Sequence, residues 1–135
     1  MINKLFIKQV KGQPPVPVKS ITLIEGGGIE GDIHRADAER AVCIITESTE
    51  NEIAAYGEKY NCMQKFSCNA VISGNRRFRK GDTLTVNGAV LTVNAVGREC
   101  HGLCDIPACP LIDGVIFASV SIGGTIHIGD VEEYA

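Results

Sequence analysis

The sequence predicts a mostly β domain: an antiparallel barrel, closed or partly closed, or a sandwich, with one or two short helices. Roughly seven or eight short apolar runs recur between turn residues. A single stretch has helical spacing. Aromatic residues make up only 5% of the chain and Trp is absent, so the core must rest on Val, Ile, Leu and Ala. A closed barrel also removes the exposed edges that so many short strands would leave. Residues 1–135 read as a single domain, because 135 residues suffice for one core but not for two.

The elements follow in order. Leu5–Val10 and Ser20–Ile24 are strand-like, and the prolines of Gly12–Pro17 between them mark a turn or a sheet edge. Ala41–Thr46 is a compact apolar run, expected to be a buried strand. Glu47–Tyr60 carries Ile53, Tyr56 and Tyr60 at helical spacing. Its start is set either by Thr49 with Glu52 as a capping box or by Thr46 one turn earlier, and Gly57 leaves its end open. Residues 82–96 form a hairpin, because Asn87-Gly88 supplies the positive φ angles of a type I′ turn. A second hairpin is expected from Val115–Ile122 and Thr125–Ile128 about Gly123-Gly124.

Composition excludes several classes. Hydrophobic residues are 44%, charged residues 21% and the net charge is −3, a balance that does not suit general nucleic-acid binding. Lys4 and Lys8 interrupt the first apolar run, so it does not read as a signal peptide, and no segment approaches the ~18 apolar residues of a membrane helix. The expected location is the cytoplasm, with no membrane partner. Six cysteines in such a reducing compartment point to chemistry or metal before a disulfide framework.

Three stretches together carry a resemblance. The first is Gly28-Ile29-Glu30-Gly31-Asp32-Ile33-His34, followed by Arg40–Ile45. The second runs from Lys80-Gly81-Asp82 through the hairpin to Gly97-Arg98-Glu99-Cys100-His101. The third is Asp113–Val120, then Gly123–Ile126 and Gly129-Asp130. In this order they resemble the MOSC domain, the module found at the C-terminus of molybdenum-cofactor sulfurases and as small free-standing bacterial proteins. The resemblance departs at Cys68-Asn69, where the family has Glu-Asn, and at residues 110–114. It implies an antiparallel barrel of the pyruvate-kinase barrel type. It also implies a cysteine, mapping to the Cys100–Cys104 region, that carries sulfur or coordinates a molybdenum ion.

The cysteine-rich loop is the main candidate site. Residues 98–109 hold Arg98, Cys100, His101, Cys104 and Cys109. The thiolate is both nucleophile and metal ligand, and Arg98 and His101 beside Cys100 favour it. One activated cysteine can carry sulfur as a persulfide, and a second thiol such as Cys104 or Cys109 can resolve it by exchange. As a metal site, Cys100 and Cys104 have the spacing of one zinc knuckle and Cys109 adds a third ligand. His101 adjoins Cys100, so both bind one metal only if the loop bends sharply. Zinc, an iron–sulfur cluster and incidental thiols stay open at this level.

Two further groups suit an anion. Gly26–Arg35 offers backbone N–H donors, with His34 and Arg35 to hold a phosphate or pterin oxygen, or else it is a turn whose backbone Asp32 fixes. Asn69, Arg76, Arg77 and Arg79 suit phosphate, or else they are a solvated charge run. Cys43 reads as a buried small hydrophobe and His127 as structural.

Together these readings imply a molybdenum-cofactor-related sulfur carrier or sulfurtransferase. It would receive sulfur as a cysteine persulfide and deliver it to a metal–sulfur or pterin cofactor. Its partners would be a sulfur-donating desulfurase, and a cofactor-synthesis protein or molybdoenzyme. No lysine-centred pyridoxal phosphate site is visible. The alternatives are a non-catalytic molybdopterin-binding or partner-docking module, and a zinc-stabilised β-domain.

Overall fold

The computed structural model describes residues 1–37, 39–97, 106 and 109–135. Strands occupy 40% of the described residues and helices 14%. In order they are β1 (Ile2–Ile7), β2 (Val16–Val18), β3 (Ser20–Leu23), β4 (Val42–Thr46), α1 (Glu47–Ala55), α2 (Asn61–Gln64), β5 (Ala70–Ile72), β6 (Thr83–Val86), β7 (Ala89–Val96), α3 (Pro110–Asp113), β8 (Val115–Ile122), β9 (Gly124–His127) and β10 (Glu132–Tyr134).

Eight strands form one curled half-barrel sheet in the order β10-β6-β7-β8-β4-β5-β1-β2, and β3 pairs with β9 as a separate ribbon. The ribbon lies against β1 on one side and β7 on the other. Backbone bonds then tie the chain after it to the first strand: Ile2 N donates to Asp130 O and Gly129 N to Ile2 O, both at 2.8 Å. All pairings are antiparallel except β4 with β5. Parallel neighbours need a crossover, and α1 and α2 supply it.

The strands alternate between two cores. Val42 and Ile44 of β4, Ala70 and Ile72 of β5, and Ile116, Ala118 and Val120 of β8 fill the barrel interior. Their neighbours Ile45, Val71 and Val115 point outward and pack with Met63, Cys109 and Leu111. The apolar run at 42–46 is thus buried on both faces, which is why it lacks polar alternation.

Several expectations hold and others need correction. Thr46 caps α1, its Oγ1 accepting from Thr49 N at 3.3 Å. The helix ends at Ala55, a turn before Tyr60, and Gly57 follows at φ 57°. The Asn87-Gly88 hairpin forms, with φ 48° and 84° at its tip. The first strand starts at Ile2 rather than Leu5, and the proline segment supplies edge strand β2, with Pro17 opposite Phe6. The second hairpin does not form, because β8 pairs with β4 and β7 whereas β9 pairs with β3. Gly123 is not a reversal but a close crossing, where a Cβ would lie 2.7 Å from Leu23 O. Strands β5 and β10, three residues each, carry no legible periodicity. Among the described residues, no helix is long and apolar enough to cross a membrane.

Candidate functional site

The site is built on a buried carboxylate. Asp32 is 3% exposed and lies in the turn that follows the glycine stretch. Its Oδ1 accepts from Lys8 N at 2.8 Å and from Asn69 Nδ2 at 3.1 Å. Its Oδ2 accepts from His34 N at 3.0 Å and lies 3.4 Å from His34 Nδ1. Asn69, itself buried, extends the network, accepting from Cys43 N at 2.9 Å and donating to Phe6 O at 3.2 Å. One Asp–Asn pair therefore fixes the end of β1, the edge of β4, the entry to β5 and the 32–34 turn. Burying such groups is tolerable only because each finds a partner.

Over this floor opens a cavity of about 370 Å³. Among the described residues, Lys8, His34, Arg40 and Lys65 bring basic groups to its wall, against the carboxylate of Asp37. Asp37 Oδ1 accepts from Glu39 N and Arg40 N at 3.2 and 3.1 Å, which shapes the loop that presents Arg40. The Arg40 guanidinium stands 5.1 Å from the centroid of the Phe117 ring, which lines the same cavity. Cys43 and Cys68 line it too. Burial pushes the Cys68 thiol up to about 12, with the charge of Glu50 adding to the rise and Lys4 opposing it. At neutral pH Cys68 is therefore a neutral thiol and not a nucleophile.

Strand β7, which precedes the cysteine-rich loop in sequence, ends beside this cavity. Cys43, Phe117 and Ala95 stand in register across β4, β8 and β7, and Gly97, two residues on, donates to Val115 O at 2.7 Å. Ile106 packs on the outer cluster that includes Cys43, Cys68 and Phe117. Arg98, Cys100, His101 and Cys104 lie outside the described residues. Cys109 is described, 5% exposed, packed with Ile45, Val71 and Leu111 just before α3.

The remaining sequence candidates separate in space. His34 and Asn69 meet at the cavity, although the Asn69 amide is committed to protein partners. Arg35 does not line the cavity, and its N–H donates to Asp32 O at 3.3 Å within the turn. The Gly26 and Gly27 N–H groups go to Val120 O and Ile24 O, so the turn reading describes those glycines and Asp32. Arg76 stacks 3.9 Å from the Tyr134 ring, and Arg77 lies 3.9 Å from Glu52, both exposed and away from the cavity wall. Cys43 is half-buried in the cavity wall rather than enclosed in a core. Lys8, Arg40 and Lys65 were not legible as a group, since they come from three separate segments. Among the described residues, no three His, Cys, Asp or Glu side chains converge to hold a metal.

The fold resembles known bacterial structures. The YuaD protein from Bacillus subtilis superposes with a TM-score of 0.74 at 20% identity, over 99% of this chain and 96% of that one. YiiM from Escherichia coli gives a TM-score of 0.64 at 18% identity, over 99% of this chain and 69% of that one. YiiM from Geobacillus stearothermophilus gives 0.65 at 16% identity, over 100% and 75%. At these identities the likeness establishes the fold. No protein-family model matches the sequence, and no curated protein matches it.

Proposed function

We propose that this chain is a MOSC-domain protein that handles sulfur for the molybdenum cofactor. In this reading the cationic cavity holds the cofactor's phosphate-bearing end and a thiolate at Cys100 or Cys104 carries the sulfur. The fold likeness to YuaD and YiiM, both MOSC-domain proteins, supports the family. The observation that carries the reading is the cavity itself: basic groups from Lys8, His34, Arg40 and Lys65 sit on a rigid Asp32–Asn69 floor, beside the anchor of the cysteine loop. Its donor set fits a phosphate, because charged N–H donors make the shorter and stronger bonds to such oxygens. The bound cofactor would supply that phosphate and the acceptor for the sulfur.

The chain's own chemistry is simple exchange. The thiolate attacks the outer sulfur of a donor persulfide, the new S–S bond forms, and the donor cysteine leaves as thiolate. The sulfur keeps its oxidation level, so no added oxidant is needed. Arg98 and His101, beside Cys100 in sequence, would stabilise the attacking thiolate. Cys109 in its packed position would serve the loop's anchorage, and Cys68 stays protonated.

The test is single-turnover loading from a labelled persulfide donor. Wild type is expected to take up one labelled sulfur, and Cys100→Ala with Cys104→Ala to take up none. Unchanged labelling of the double variant would overturn the sulfur-carrier reading.

A further inference from the structure

A second cavity adjoins the first. It has a volume of about 260 Å³ and is walled by Phe6, Pro15, Ile45, Ile53, Ala54 and Phe66. Phe66, Ser67 and Cys68 line both cavities, so the two meet at one short segment between α2 and β5. Their characters are opposite. The first carries the basic groups named above. Among the described residues the second has one charged side chain, Glu50, whose Oε2 is already paired with Lys4 Nζ at 2.9 Å.

We infer that the site accepts an amphipathic ligand, with an anionic group among Lys8, Arg40 and Lys65 and an apolar, ring-sized group against Ile53, Ala54 and Phe66. The inference rests on the anion-holding reading of the first cavity and adds the class of molecule it selects. Three physical facts support it. Cavities of about 150 Å³ take up benzene in other proteins, so the second cavity has room for a ring. The shared segment is neutral at pH 7, since the Cys68 thiol is protonated, and an apolar group can lie against it without desolvating a charge. The Lys4 pairing offsets part of the Glu50 charge facing the neighbouring anion.

The experiment is calorimetric titration of the full chain with inorganic phosphate and with phenyl phosphate. Phenyl phosphate is expected to bind about tenfold tighter, the return on burying one ring face of roughly 55 Å². Ala54→Gln, which fills the second cavity from an exposed helix position, should bring the ratio toward one. Ile53→Ala is the second variant and should also lower the ratio. Equal binding of the two probes by wild type would overturn the amphipathic inference and leave the anion reading standing. Binding of neither probe would overturn both. A tenfold preference that both variants retain would place the ring elsewhere and overturn the assignment to the second cavity.

Discussion

Two parts of the molecule are rich in basic residues, and they behave differently. Arg76, Arg77, Arg79 and Lys80 form a run in sequence, yet the structure disperses them. Arg76 lies on Tyr134 and Arg77 near Glu52, while the backbone N–H of Arg79 closes a turn on the Asp82 carboxylate at 2.8 Å. Lys8, His34, Arg40 and Lys65 are scattered in sequence, yet they line one cavity. A run of charge on an exposed loop fans out because like charges repel and water solvates each one. Charges delivered by separate segments converge when a rigid polar floor fixes those segments. The Asp32–Asn69 pair is that floor.

Removing the floor should have the largest effect. Asp32→Ala would leave Lys8 N, His34 N and Asn69 Nδ2 without their acceptor. The buried orphan costs about 1–3 kcal/mol and the two part-buried ones less, so urea unfolding should show a loss of about 2 kcal/mol or more. A loss within 0.5 kcal/mol, the ordinary range of surface changes, would mean the floor does not order the site.

The cavity cations come next. Arg40→Ala and Lys65→Ala should each weaken phosphate binding roughly tenfold by titration, the scale of one charge-assisted contact. Arg77→Ala should not change it. Equal losses from both regions would erase the contrast between them.

Arg76→Ala should cost only about 0.5–1 kcal/mol, the worth of an exposed cation–π contact, seen as a small drop in thermal midpoint. The smallest effect at neutral pH concerns thiols. Cys62 is exposed, and iodoacetamide should label it well before Cys68 at pH 8, as peptide mass spectrometry would read. Cys68 labelling should accelerate only as pH approaches about 12. Its folded value is raised above the unfolded 9.0, so the stability it contributes is complete below pH 9 and is lost as pH rises from 9 to about 12. Fast labelling of Cys68 at pH 8 would contradict its burial.

What was legible in the sequence was local. The Asn87-Gly88 turn, the Thr46 cap and the strand at 42–46 each depend on neighbours within a few positions. The β3–β9 pairing was not legible, because Gly123-Gly124 has the composition of a hairpin turn while its real constraint is the distant Leu23 carbonyl. The same holds for the site. His34 was singled out from a glycine-rich turn, and Asn69 from its place in the resemblance. Lys8 and Lys65 gave no signal, and Arg40 entered only as the start of a stretch in the resemblance, because each is an ordinary surface residue until the fold brings its segment to the cavity. Cys43 was hidden by a strand covered on both faces, where a wall residue looks like core.

The most direct test of the central claim is native mass spectrometry with elemental analysis on protein purified without air. The account predicts added sulfur on the Cys100–Cys109 peptide, or bound molybdenum or pterin. Stoichiometric zinc on unmodified cysteines would contradict it, and the loop would then be a structural clasp beside an anion-binding cavity.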